Sequence, residues 1–151
     1  MLDLMRECSR RQQTPLRLRV LGRHTNRFVR EYTYFALQNV YEVCASEAFL
    51  ELVAPRTVDI LAQGIKDNWS QVRYAASVAC RAFNEKAQEQ RSAFYPQLLG
   101  LMCLNRHYVA EGVRLYSQET WRRVCGPQGG ARPVERAPRT GENRRKSLKI
   151  A

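Results

Sequence analysis

The chain has 151 residues, 44% of them apolar, and a formal net charge of +11. That length suits one domain with a modest core, and no apolar run approaches the roughly 20 residues that a membrane span needs. The opening MLDLMRECSRRQQ breaks any signal-peptide core with early charges, so a protein of the cytoplasm or nucleus, not secreted, is expected.

The charge is unevenly placed. Residues 1–30 carry eight Arg against Asp3 and Glu7, and residues 126–151 carry seven Lys and Arg against Glu135 and Glu142. Between them, residues 31–125 are balanced. Residues 1–13 therefore read as a basic N-terminal segment.

From Thr14-Pro15 onward the apolar residues become periodic. HTNRFVREYTYFALQNV is followed by SEAFLELVA and then by PRTVDILAQGIKD, an apolar-periodic stretch that closes on a polar turn. DNWSQVRYAASVACRAF comes next, then SAFYP with QLLGLMCLNRH, and finally YVAEGVRLYSQETWRRV. Three Val-Arg pairs register these stretches: Val29-Arg30, Val72-Arg73 and Val113-Arg114, spaced by 43 and 41 residues. Seven places beyond each valine stand Ala36, Ala79 and Thr120, and eleven places beyond it Val40, Phe83 and Val124. Such offsets mark one stripe of a helix, so each segment is predicted to be helical with one buried face. Pro55 precedes Val72 by 17 residues and Pro96 precedes Val113 by the same interval. Either proline fits the first turn of a helix or a kink within one. The first copy is shorter, with Pro15 standing 14 residues before Val29.

A helix–turn–helix unit recurring near 42 residues resembles the HEAT repeats, which share the roughly 40–47-residue period of armadillo-type units. Lys66-Asp67-Asn68 followed by Val72-Arg73 and Ala75-Ala76 carries the resemblance best; His24 and Tyr108 stand where the other copies would have the aspartate. The resemblance covers about residues 14–125 and implies an all-α fold, a right-handed α-α superhelix of about three helix pairs (about 14–44, 46–84 and 88–125). It also implies that the repeat arginine pairs with the aspartate of a neighbouring unit, for which Arg73 with Asp67 or Asp59 are the available candidates. Asp67 or Asn68 can accept backbone N–H groups where the second helix opens. An irregular helical bundle is the alternative that the same stripes allow.

After Cys125 the sequence turns to Gly, Pro, Arg and Ser, too poor in apolar residues to offset its ordering entropy, so residues 126–151 are expected to be a disordered basic tail. Arg144-Arg145-Lys146-Ser147 within it resembles a basophilic kinase site, with Ser147 the acceptor, and doubles as a nuclear-localisation candidate. The third unit stops at Val124-Cys125 without an evident polar cap, which suggests a fragment or short form of a longer solenoid.

Cys8, Cys44, Cys80, Cys103 and Cys125 are odd in number and widely spaced. They suit buried free thiols better than disulfides or a zinc site. Phosphate-loop, nucleophile-elbow and zinc-protease motifs are absent, and Cys103 with His107 lacks an orienting third group. No catalytic residue, cofactor or metal is expected.

A non-enzymatic scaffold that binds another protein along its turns is therefore the reading the sequence favours. Asn26, Arg27, Asn68, Trp69, Arg106 and His107 are the candidate contact residues, whereas Trp121 is expected in the core. Turn-borne aromatics such as Trp69 serve as anchors at some interfaces. The alternative is nucleic-acid binding through the basic ends, where Arg6, Arg10, Arg11, Arg17, Arg19, Arg23, Arg27 and Arg30 could form a phosphate-contacting patch.

Overall fold

A computed structural model describes residues 15–126. The basic segment, the tail, Ser147 and the arginines at 6, 10 and 11 lie outside the described residues. Within them every regular element is helical and no strand occurs. Among these helices, none is long and apolar enough to cross a membrane.

Helix α1 covers residues 15–21 of the described chain and includes Pro15. Helix α2 (Arg27–Val43) opens under Asn26, whose side chain accepts the Phe28 N–H at 2.9 Å. Its buried face is Thr33, Tyr34, Leu37 and Tyr41, while Val29, Ala36 and Val40 are only half-buried. The predicted stripe is thus rotated by about one position. The buried side carries the two tyrosines instead: Tyr34 Oη donates to Ile60 O and Tyr41 Oη to Thr57 Oγ1, each at 3.0 Å. With the hydroxyls satisfied, burying these large rings is favourable.

Helix α3 runs from Ser46–Ala48 through a π-helical turn, Phe49–Val53, into Ala54–Ile65. Pro55 follows the wide turn after Ala54. A proline ring clashes with the carbonyl four residues back, and a widened turn moves that carbonyl away. SEAFLELVA therefore forms the start of the helix, ahead of its proline. Helix α4 (Ser70–Ala87) buries Val72, Ala75, Ala76, Ala79 and Phe83, as its spacing predicts. Its low alanine face permits close approach, and Gly64 completes the fit because a Cβ there would run into the Tyr34 ring and the Ala76 methyl. The helix stops at Gln88, whose φ of 46° leaves the helical region and leads into a 3-10 stretch, Gln88–Phe94. Helix α5 (Tyr95–Asn105) carries Pro96 in its first turn, and helix α6 (Glu111–Cys125) ends the described chain.

Helix α4 lies between α2 and α6; α3 packs against α4 and α5, and α5 packs against α6. The core centres on Phe83, whose ring meets Tyr41, Phe49 and Phe94 edge-on at 5.4, 5.2 and 5.0 Å between centroids. Each such pair contributes about 0.5–1.5 kcal/mol beyond its buried area. The two seams of α4 differ in character. Tyr34, Leu37 and Tyr41 fill the side toward α2, whereas Ser77, Cys80 and Asn84 face the side toward Met102, Asn105 and Thr120.

Asn105 organises that second seam. It is 1% exposed, donates to Ile65 O at 3.0 Å and to Ser77 Oγ at 3.3 Å, and accepts from Arg73 Nη1 at 2.8 Å. Replacing it by alanine strands a buried carbonyl and a guanidinium donor. Urea unfolding of Asn105→Ala is expected to show a loss of about 1–3 kcal/mol, well beyond the usual effect of a surface substitution; a loss within about 0.5 kcal/mol would remove Asn105 from this role.

Candidate functional site

The turns α1–α2, α3–α4 and α5–α6 are joined by arginines, so they come to lie along one edge. Arg30 Nη1 donates to His24 O and Thr25 O of its own turn at 2.9 and 3.0 Å. The other side of its guanidinium grips both Asp67 carboxylate oxygens of the next turn, at 2.8 and 3.1 Å. Arg73 repeats the motion one unit later: Nε donates to Asp67 O at 3.0 Å, Nη1 reaches Asn105, and the guanidinium stacks 4.0 Å above the Tyr108 ring. Arg114 Nη1 likewise points to Tyr108 O and Val109 O, both at 3.4 Å. The ion pair expected between Arg73 and Asp67 or Asp59 is therefore corrected. The Asp67 carboxylate is taken by Arg30 of the preceding turn, because an arginine that already holds its own turn's carbonyls has its free edge directed at the following one.

Asp67 also shapes its own turn, accepting the Trp69 N–H at 3.0 Å. The bond closes the turn ahead of α4, and the helix itself opens at Trp69 without a side-chain cap, so the helix-opening role expected of Asp67 or Asn68 is met only within the turn. Its hydrogen bond to Arg30 holds that guanidinium more firmly protonated than usual; burial opposes this, and the Coulomb attraction of the pair adds to it.

The candidate contact residues divide into three groups. Arg27 and Trp69 come together: the Arg27 guanidinium lies 4.4 Å from the Phe28 ring centre and 4.5 Å from that of Trp69. Trp69 and Phe28 still remain 49% and 53% exposed. Cation–π contacts of this exposed kind contribute about 0.5–1 kcal/mol each, enough to fix the ring's orientation without hiding it. Asn26, Asn68 and His107 are exposed at the turns, with Asn26 engaged as a helix cap. Arg106 turns inward instead. It is half-buried, lies 4.5 Å over the Trp121 ring, and its Nε and the Trp121 Nε1 are both buried without a hydrogen-bond partner among the described residues. Trp121 itself is 7% exposed, as expected of a core residue.

Phe28, Arg23, His24 and Lys66 join this edge without having been singled out as contact residues of the turns. Phe28 follows a helix cap and is easily taken for core; its exposure depends on the rotation of α2. Between the first and second turns lies an open cleft of about 460 Å³, walled by Arg23, His24, Lys66, Asn68 and Trp69 over Gly22 and Tyr34. Arg23 Nε is steadied by Gln63 Oε1 at 2.9 Å. The Asn26 N–H donates to His24 Nδ1 at 3.0 Å, which leaves the proton of the neutral ring on Nε2.

Of the arginines considered for phosphate contact, Arg30 is committed to Asp67 and Arg27 to the two rings. Arg17 and Arg23 are exposed and Arg19 is half-buried. Among the described residues no three His, Cys, Asp or Glu side chains gather closely enough to hold a metal ion. Cys103 and His107 are both exposed at the end of α5. The four described cysteines are free thiols, and burial pushes the Cys80 thiol up to about 12.

Set against protein-family models, curated proteins and solved structures, the chain matches none of them.

Cys80 gives the fold a pH signature. Its ionisation is raised on folding, so its contribution is complete below about pH 9, where a solvated thiol stays protonated, and is lost as pH rises toward 12. Unfolding midpoints of the wild type are expected to fall across that window more steeply than those of Cys80→Ala. At neutral pH a maleimide should label Cys103 rapidly and leave Cys80 untouched until the protein unfolds; equal labelling would show an open seam.

Proposed function

We propose that the protein is a non-enzymatic HEAT-type α-solenoid, α1–α2, α3–α4 and α5–α6 being its three helix pairs in a right-handed superhelix, and that it binds another protein along its turn edge. The observation that carries this reading is Trp69. A large aromatic is held half-exposed on an edge whose turns are fixed by Arg30 and Arg73, and a pre-set aromatic anchor is what a protein interface needs at its centre. Arg27, Asn68, Asn26 and His107 flank it on the same series of turns. Stacked helix pairs provide extended surfaces of this kind, whose rigid frame lowers the ordering cost of binding. The repeating arginine contacts favour this reading over an irregular bundle.

Affinity capture with the full chain from nuclease-treated lysate tests it. A protein set retained by the wild type and depleted by Trp69→Ala is the expected outcome. Retention that is indifferent to Trp69 would move the interface off this edge.

The second reading, nucleic-acid binding through the basic ends, draws on the exposed arginines around α1. It makes a different prediction: capture that vanishes with nuclease, and an affinity that falls steeply with salt as counterions are released.

A further inference from the structure

The cleft between the first two turns has a chemistry of its own. Its walls are rich in donors. Arg23 is held through Nε and stands exposed. His24 offers Nε2–H because Nδ1 is occupied by the Asn26 N–H. Lys66 and Asn68 stand exposed on the far wall. The single carboxylate in the cleft, Asp67, is already neutralised by both arms of Arg30. Beside the donors stands the exposed ring of Trp69. A ligand that fits must therefore bring several separated acceptors, carry negative charge and present an apolar group next to them.

We propose that this cleft binds a carboxylate-rich segment of a partner protein, with Arg23, His24, Lys66 and Asn68 donating to its side chains and Trp69 packing on an adjacent apolar residue. The inference rests on the protein-binding reading above and gives the partner its chemistry. The occupant does not come from this chain's own ends. Residues 1–14 set Arg6, Arg10 and Arg11 against Asp3 and Glu7, and residues 127–151 hold seven Lys and Arg against two Glu, so both carry the cleft's own sign. A row of phosphates fits less well. Arg27 and Arg30 are spent on rings and on Asp67, and the neutral donors His24 and Asn68 interrupt the remaining cations, whereas a phosphate backbone calls for a continuous track of charge.

The test uses the full chain and a fluorescein-labelled synthetic peptide that alternates glutamate with serine and carries one leucine. Binding is followed by anisotropy for the wild type, for Arg23→Glu with Lys66→Glu, for Trp69→Ala, and for Arg144→Glu with Arg145→Glu as a control in the basic tail. Far-UV spectra and melting points establish that each variant is folded. The double cleft variant is expected to bind about tenfold or more weakly, Trp69→Ala to bind more weakly, and the tail variant to bind as the wild type does. Loss of binding in the tail variant with retention in the cleft variant would overturn the proposal. So would displacement of the peptide by oligothymidylate at much lower concentration, which would make the ligand a nucleic acid. Self-association of the wild type that the cleft variant abolishes would overturn it too, since the occupant would then be a second copy. If the peptide fails to bind while nuclease-resistant capture through Trp69 persists, the acidic partner is wrong and the scaffold reading stands; if both fail, both are wrong.

Discussion

Arg30 joins three elements through one planar group. Its Nη1 closes the turn that carries His24 and Thr25, its two other nitrogens hold the Asp67 carboxylate, and Asp67 in turn fixes the amide of Trp69. The pair is largely withdrawn from solvent, with side-chain exposures of 15% and 12%. An exposed ion pair contributes little, but a bidentate pair that also satisfies backbone carbonyls loses less of its attraction to water and fixes a geometry. The relation between the first two turns, the orientation of Trp69 and the shape of the cleft beside it all follow from that contact. Arg73 extends it with other chemistry, exchanging a carboxylate for the Asn105 amide and the face of Tyr108.

The interior responds to the same order. Toward α2, helix α4 meets tyrosines and leucine packed around Phe83. Toward α6 it meets a polar seam of Ser77, Cys80, Asn84, Asn105 and Thr120, with Arg81 reaching across to Thr120 Oγ1 at 2.8 Å and stacking on Tyr116 at 3.6 Å. Apolar burial gives a non-directional attraction, whereas hydrogen bonds fix register. The first seam supplies cohesion and the second alignment. Where α5 meets α6, Arg106 lies over the buried Trp121 and accepts a hydrogen bond from the Gln118 amide at its carbonyl, 3.1 Å away.

Much of this was legible in the residues themselves. The spacing of Val72, Ala75, Ala76, Ala79 and Phe83 identified the buried face of α4 because alanine and valine have no polar group to divert them. The same template failed on α2, where Tyr34 and Tyr41 stand in the register of Ser77 and Asn84, and their rings are buried with the hydroxyls donating to Ile60 O and Thr57 Oγ1 of α3. The Val-Arg register located three equivalent arginines, yet not their partners. Those lie 37 residues ahead for Arg30 and 32 for Arg73, and which way a guanidinium leans depends on the three-dimensional neighbour. Asn105 was not singled out in QLLGLMCLNRH, since nothing local distinguishes an asparagine that will be buried. Trp69 was readable as an exposed turn aromatic. Its pairing with Arg27 was not, because their contact spans 42 positions of chain.

The turns are locked to one another by arginine, and a double-mutant cycle measures that lock most directly. Arg30→Ala, Asp67→Ala and the double substitution would be compared with the wild type by urea unfolding at neutral pH. A coupling energy of about 1–3 kcal/mol, with the double variant little worse than either single one, is the predicted result. Additive losses with a coupling within about 0.5 kcal/mol of zero would contradict the account and leave the edge held by helix packing alone.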